Sequence, residues 1–150
     1  MKVILKKDNS SKSISYRAQN NFYYIDSKVI KKLIQLSQNK KIARICLNIN
    51  KINKLNQMLI FQKKGYSAEI KKHYYKDKSY ICVYGKQKIS IHNKSGKKIN
   101  QNILNKKKFI FWIPRNTWHK NETVSQYSIH IESISGPFKR ISDRKYLNKK

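Results

Sequence analysis

Glycine, proline, cysteine and acidic residues are all scarce in this sequence, and each scarcity closes off a class of function. Four glycines and two prolines in 150 residues leave no glycine-rich loop to cradle a phosphate. Two cysteines, Cys46 and Cys82, make neither a C-x-x-C pair nor a disulfide framework, so a reduced, cytoplasmic setting is expected. The longest apolar runs are a few residues, far short of the roughly 18 to 20 that a membrane helix requires, and no membrane span is expected. The basic opening Met1 to Lys7 holds three consecutive apolar residues, too few for the apolar region of a secretory signal. No Ser-His-Asp set, zinc-finger spacing or pair of carboxylates is visible.

Acid is the scarcest charge: seven Asp and Glu stand against 35 Lys and Arg, a formal net charge of +28. A field of that size reads as a partner rich in phosphate or carboxylate. Base composition wrote part of it, because Lys, Asn, Ile and Tyr fill 77 positions and all have A/T-rich codons. That bias accounts for Lys in place of Arg but not for the few acids. An anionic small molecule is therefore expected as a partner, and nonspecific nucleic-acid binding as a rival that salt should weaken steeply.

What is there is mostly β-type. A chain of 150 residues suffices for one domain with a real core. Residues 1–25 read as a loosely ordered arm with early strands around Val3-Ile4-Leu5 and Phe22 to Ile25. Behind Asp26-Ser27, Val29, Ile30, Leu33, Ile34 and Leu36 recur at helical spacing, which predicts one amphipathic helix over about 27–38. Short runs follow at 42–49, 57–62, 67–72, 79–84, 87–92, 98–104, 109–113 and 127–134, punctuated by turn residues at Gly65, Gly85, Asn93 to Gly96, Pro114 to Asn116 and Gly136-Pro137. That rhythm means a sandwich, barrel or jelly roll.

Two segments stand out. One is Gly65, five residues, Lys71, one residue, His73, four residues, Lys78, six residues, Gly85; the other is Pro114-Arg115-Asn116-Thr117-Trp118-His119. Their spacing resembles the two motifs of the cupin superfamily, in which a strand pair presents His-x-His and a Glu and a later strand adds a last His. The resemblance implies a mainly β, cupin-type jelly-roll barrel with one N-terminal helix. Positions 71 and 73, two apart on a strand, would share its inner face, with 78 and 119 joining them. Metal-holding cupins bind Fe, Mn, Ni or Zn there. Here Lys71 and Lys78 stand where a His and the Glu would be, leaving His73 and His119. Protonated lysines offer no lone pair, so no cofactor is expected, with a divalent transition metal on the two imidazoles as the alternative.

Further along, the helix from Ile25 to Leu36, Arg44 with Asn48, Gln57-Met58-Leu59, Trp118-His119, and Glu132 with Gly136-Pro137-Phe138 are similar to the WbuC family of small cupins. That family is found beside genes for O-antigen and other surface polysaccharides. The resemblance implies a domain over 26–138, followed by a basic tail over 139–150. It also implies a role in surface-polysaccharide or nucleotide-sugar metabolism. The ligand would be a sugar nucleotide or acidic glycan, contacted by Lys71, Lys78, Tyr80, Trp118, Arg44 and Gln57. If the chain is an enzyme, it is an isomerase or epimerase moving protons through His73 and His119. Tyr74, Tyr75, Tyr84, Phe111 and Trp112 are further candidates for ring stacking, and pairing through sheets implies a homodimer. His92 and His130 read as structural or exposed, and Glu132 as an ion-pair partner.

Overall fold

The computed structural model describes residues 1–11, 13–50, 52–137 and 143–147. Two sheets face each other. The larger has seven strands in the order β1 (Leu5–Lys7), β2 (Ile14–Ala18), β3 (Ile42–Cys46), β4 (Leu55–Lys63), β11 (Tyr127–Ser135), β6 (Lys78–Tyr84) and β9 (Ile110–Ile113). The smaller has five, in the order β12 (Arg144–Tyr146), β5 (Lys71–His73), β10 (Trp118–Thr123), β7 (Gln87–His92) and β8 (Lys98–Leu104). This is a jelly-roll barrel: consecutive strands β4 to β7 alternate between the sheets, which wraps the chain around a common interior.

One helix, α1 (Ser27–Leu36), begins where Asp26 accepts a hydrogen bond from the Val29 amide at 3.0 Å. It ends two residues earlier than the periodicity suggests, because Gln38 and Asn39 take positive φ of 48° and 63° and turn the chain out of the helix. Its apolar face buries Leu33 against Ala43, Ile45, Leu59, Phe61 and Ile129, all on the outer face of the large sheet. Truncating Leu33 to Ala there costs about 2–5 kcal/mol.

The first 25 residues are not a loose arm. β2 pairs in parallel with β3 (Ile14 opposite Ala43), and α1 is the crossover between them, so a βαβ unit is joined to an otherwise antiparallel sheet. Within the stretch read as a tail, Arg144 to Tyr146 pair with His73 to Lys71 and extend the small sheet. The rest of that stretch, 139–142 and 148–150, and Phe138 lie outside the described residues.

The interior is divided. Tyr80, Cys82, Ile89, Leu104 and Ile113 fill one end with an apolar cluster. The other end, between β3, β4 and β11 on one side and β5 and β10 on the other, is lined by polar side chains and stays open.

Candidate functional site

The open end holds a cavity of about 290 Å³. Alternation along the strands decides what faces it. On β5, Lys71 and His73 share the inner face, and β10 places His119 directly across from Lys71. On the large sheet, Arg44, Met58, Ile60, Gln62, His130 and Glu132 face the same space. The loop between β1 and β2 borders the mouth, where Arg17 and Asp8 pair at 2.9 Å. The Asp8 carboxyl is lowered to about 2, first by the Ser10 hydroxyl and, against the cost of burial, by Arg17.

The two imidazoles are held in one tautomer. His119 Nδ1 donates to the Thr117 carbonyl at 2.8 Å and His73 Nδ1 to the Asp143 carbonyl at 3.2 Å, because a carbonyl can only accept. Both Nε2 atoms are therefore unprotonated, buried and without a hydrogen-bond partner among the described residues. The rings stack with centroids 5.9 Å apart. Burial first, then the Lys78 charge, lowers His73 to about 3 and drives His119 well below its ordinary value. Neither ring carries charge at neutral pH.

Lys78 is 2% exposed, so it is no solvated surface lysine. Its Nζ lies 3.0 Å from Glu132 Oε1 and 3.3 Å from the Tyr80 hydroxyl. Burial would raise the Glu132 carboxyl, but Lys78 and then Lys71 hold it well below the usual carboxylate range. Lys71 has no hydrogen bond or ion pair among the described residues, and the neighbouring Lys78 charge, followed by burial, lowers its amine to about 7. Arg44 likewise has no hydrogen-bond or ion-pair partner among the described residues, its Nε being buried. Two basic side chains with no ion-pair partner among the described residues thus face one cavity from opposite sheets.

This donor set does not suit a dication. Two imidazole lone pairs are available, but the neighbouring inward side chains include the lysines Lys71 and Lys78, and the carboxylate beside them, Glu132, is bound to Lys78. Among the described residues no group of three or more His, Cys, Asp or Glu is gathered as metal ligands.

Several expected contacts are displaced. Trp118 alternates with His119 and so lies on the other face of β10, under the Lys72 ammonium at 5.0 Å. Tyr80 is fully buried behind Lys78, with no surface on the cavity, and Gln57 borders it but donates its amide to Ser133 Oγ at 3.0 Å. Tyr74, Tyr75, Tyr84, Phe111 and Trp112 do not line the cavity, and His119 stands behind His73.

Conversely, His130, read from the sequence as structural or exposed, is fully buried on the cavity wall. The Gln87 amide nitrogen lies 3.1 Å from its Nδ1 and 3.1 Å from Gln62 Oε1, which also accepts from Asn121 at 3.3 Å. The signal for this amide network was polar residues at inward-alternating positions, easily taken for solvent-facing ones.

No family model and no curated protein matches the sequence. Solved structures do match in shape. The capsular polysaccharide assembling protein CapF from Staphylococcus aureus superposes with a TM-score of 0.64 at 17% identity, over 74% of this chain and 33% of CapF. The chain has the cupin fold. Oxalate decarboxylase from Lactobacillus farciminis matches with a TM-score of 0.57 at 13% identity, over 72% of this chain and 32% of its own. KdgF from Halomonas sp. matches at 0.53 and 19%, over 67% and 82%. The chain thus spans about a third of CapF and of the decarboxylase, and most of KdgF. Among the described residues, no helix is long and apolar enough to cross a membrane.

Proposed function

We propose that this cupin binds an anionic sugar-type ligand in its barrel, as a WbuC-like component of bacterial surface-polysaccharide biosynthesis. The observation that carries the reading is that Arg44 and Lys71, neither with an ion-pair partner among the described residues, face one polar cavity from opposite walls. An uncompensated cation in a low-dielectric wall attracts carboxylate or phosphate strongly. The adjoining Gln62 and Asn121 carboxamides, which line the cavity, suit hydroxyl groups. At about 290 Å³ the space is at the small end for ligand pockets. A sugar acid or sugar phosphate fits that size, with any nucleotide extending through the mouth. Support from likeness comes from CapF, whose name describes capsular polysaccharide assembly.

A second reading rests on the His73 and His119 Nε2 lone pairs, which are fixed, buried and without a hydrogen-bond partner among the described residues. His73 lines the cavity with His119 stacked behind it, an arrangement read as a metal-free isomerase or epimerase that moves a proton next to a sugar carbonyl.

Calorimetric titration with gluconate, glucose 1-phosphate and sorbitol in 0.15 M salt tests the first reading. The two anions should bind and sorbitol should not, and Arg44→Gln or Lys71→Met should each weaken the anions tenfold or more. Equal binding of sorbitol and gluconate, or indifference to both substitutions, would overturn it. For the second reading, turnover of a bound sugar that survives His73→Ala and His119→Ala would remove those imidazoles from the chemistry.

A further inference from the structure

Among thirty lysines, Lys71 is set apart by its surroundings. It stands on the inner face of β5, lines the cavity, has His73 beside it on the same face and His119 across from it. The other interior amine that faces the cavity, Lys78, is committed to Glu132 and the Tyr80 hydroxyl. Lys71 is committed to nothing among the described residues. The groups facing it from the packed elements are the Lys78 ammonium and Glu132 on the large sheet, Arg44 on β3, and Arg144 on β12. The cations outnumber the single carboxylate, and that carboxylate is already paired with Lys78. With the amine lowered to about 7, about half the molecules carry a nitrogen lone pair at neutral pH. A primary amine kept unprotonated by a neighbouring cation and by burial is a nucleophile toward carbonyl carbon.

We propose that Lys71 forms an imine with the aldehyde or ketone carbon of a carbonyl-bearing acid whose carboxylate is held by Arg44. The inference rests on the anion-binding reading above and names the ligand class more closely: a sugar acid or oxo acid with a free carbonyl. The nitrogen lone pair of Lys71 forms the C–N bond while the carbonyl π pair moves to oxygen. One amine proton transfers to that oxygen, giving a carbinolamine. The nitrogen then forms the C=N bond, the C–O bond breaks, and the oxygen leaves as water with the second amine proton. No oxidant or reductant is consumed. Glu132 and the Tyr80 hydroxyl engage the second amine beside the site, Lys78, so Lys71 is the cavity amine left to meet the ligand.

Reductive trapping tests this on the full chain. Glyoxylate, an aldehyde with a carboxylate, is added with sodium cyanoborohydride at pH 7, and the secondary amines formed are located by peptide mass mapping. An ordinary lysine has on the order of one molecule in 2,500 unprotonated at that pH, so Lys71 should be labelled at least tenfold faster than the mean of the others, even after its lower basicity takes back part of the advantage. Its rate should level off above about pH 7, whereas surface lysines keep accelerating to pH 9. Lys71→Arg should abolish the fast label, and the mapping on the unaltered chain stands if that variant fails to fold. Labelling of Lys71 no faster than that of the surface lysines would overturn the imine. Gluconate has no carbonyl, so its Arg44-dependent binding reports the anion site independently. If gluconate binds and Lys71 stays unlabelled, the imine falls alone. If gluconate does not bind, and propionaldehyde labels Lys71 as fast as glyoxylate does, the anion-binding reading falls while the reactive amine stands.

Discussion

Glu132→Gln isolates the buried charge pair on which the site depends. The substitution keeps the shape of the side chain and removes its charge, leaving the Lys78 ammonium, 1% exposed as a side chain, with the Tyr80 hydroxyl as its remaining polar partner. Breaking a buried pair on one side costs about 3–5 kcal/mol. With a urea slope of the usual size, that lowers the unfolding midpoint by about 2 M. The loss should depend on pH with a defined sign. The carboxyl is lower in the folded than in the unfolded chain, whose value lies near 4.5. Its contribution is therefore complete above that value and is lost as pH falls through the lower folded one. The gap between the two proteins should be constant from pH 7 to about pH 5 and shrink toward pH 3.5. Replacing both partners, Lys78→Met with Glu132→Leu, should recover stability to within about 1 kcal/mol of the parent, because no charge is left stranded. Urea titrations followed by tryptophan fluorescence measure all three. A single-variant loss below about 1 kcal/mol, or a gap unchanged between pH 7 and pH 3.5, would refute the account.

Other outcomes follow from the same geometry. His73, His119 and His130 are all held neutral in the fold, His73 at about 3 and His130 at about 4. Unfolding near pH 5 should therefore take up about three protons through these rings, and stability should fall as pH drops below about 6.5; a flat profile from pH 6.5 to 5 would exclude this. Gly85 has φ of +78° and a Cβ added there would lie 2.2 Å from the Tyr127 carbonyl oxygen, whereas at Gly65, φ +79°, the nearest atom is 3.8 Å away. Gly85→Ala should thus cost clearly more than the about 1 kcal/mol of backbone strain expected for Gly65→Ala, and equal thermal shifts would contradict the clash. Protein purified without a histidine tag should contain metal well below one equivalent per chain by elemental analysis. A stoichiometric metal would show that the lysines are bypassed by other ligands.

Much of the framework was legible in the residues. The Asp26 cap and the spacing of Val29 to Leu36 located the helix, and two runs, 87–92 and 98–104, match β7 and β8 end to end. The turn read at Pro114 to Asn116 is present, with Asn116 in the left-handed conformation at φ of 61°. Trp118–Thr123 was missed as a strand because its inward residues, His119, Asn121 and Thr123, are polar and face a polar interior. An alternation test looks for apolar residues on the buried side and finds none there. The same blindness hid His130, Gln62 and Gln87. Trp118 was misplaced for the opposite reason: its type suggested a ligand contact, while its parity sets it on the outer face.

The sequence alone determined the fold class, the helix and the proximity of positions 71 and 73, since these depend on local periodicity and on side-chain alternation within one strand. It also showed that lysines stand at positions 71 and 78 beside His73. Only the tertiary structure decided which of thirty lysines matter, because charge compensation is a property of neighbours from distant strands. Lys78 forms an ion pair with Glu132 from β11, while Lys71 and Arg44 have no ion-pair partner among the described residues. That difference in partners, invisible in composition, separates a structural ammonium from a reactive amine.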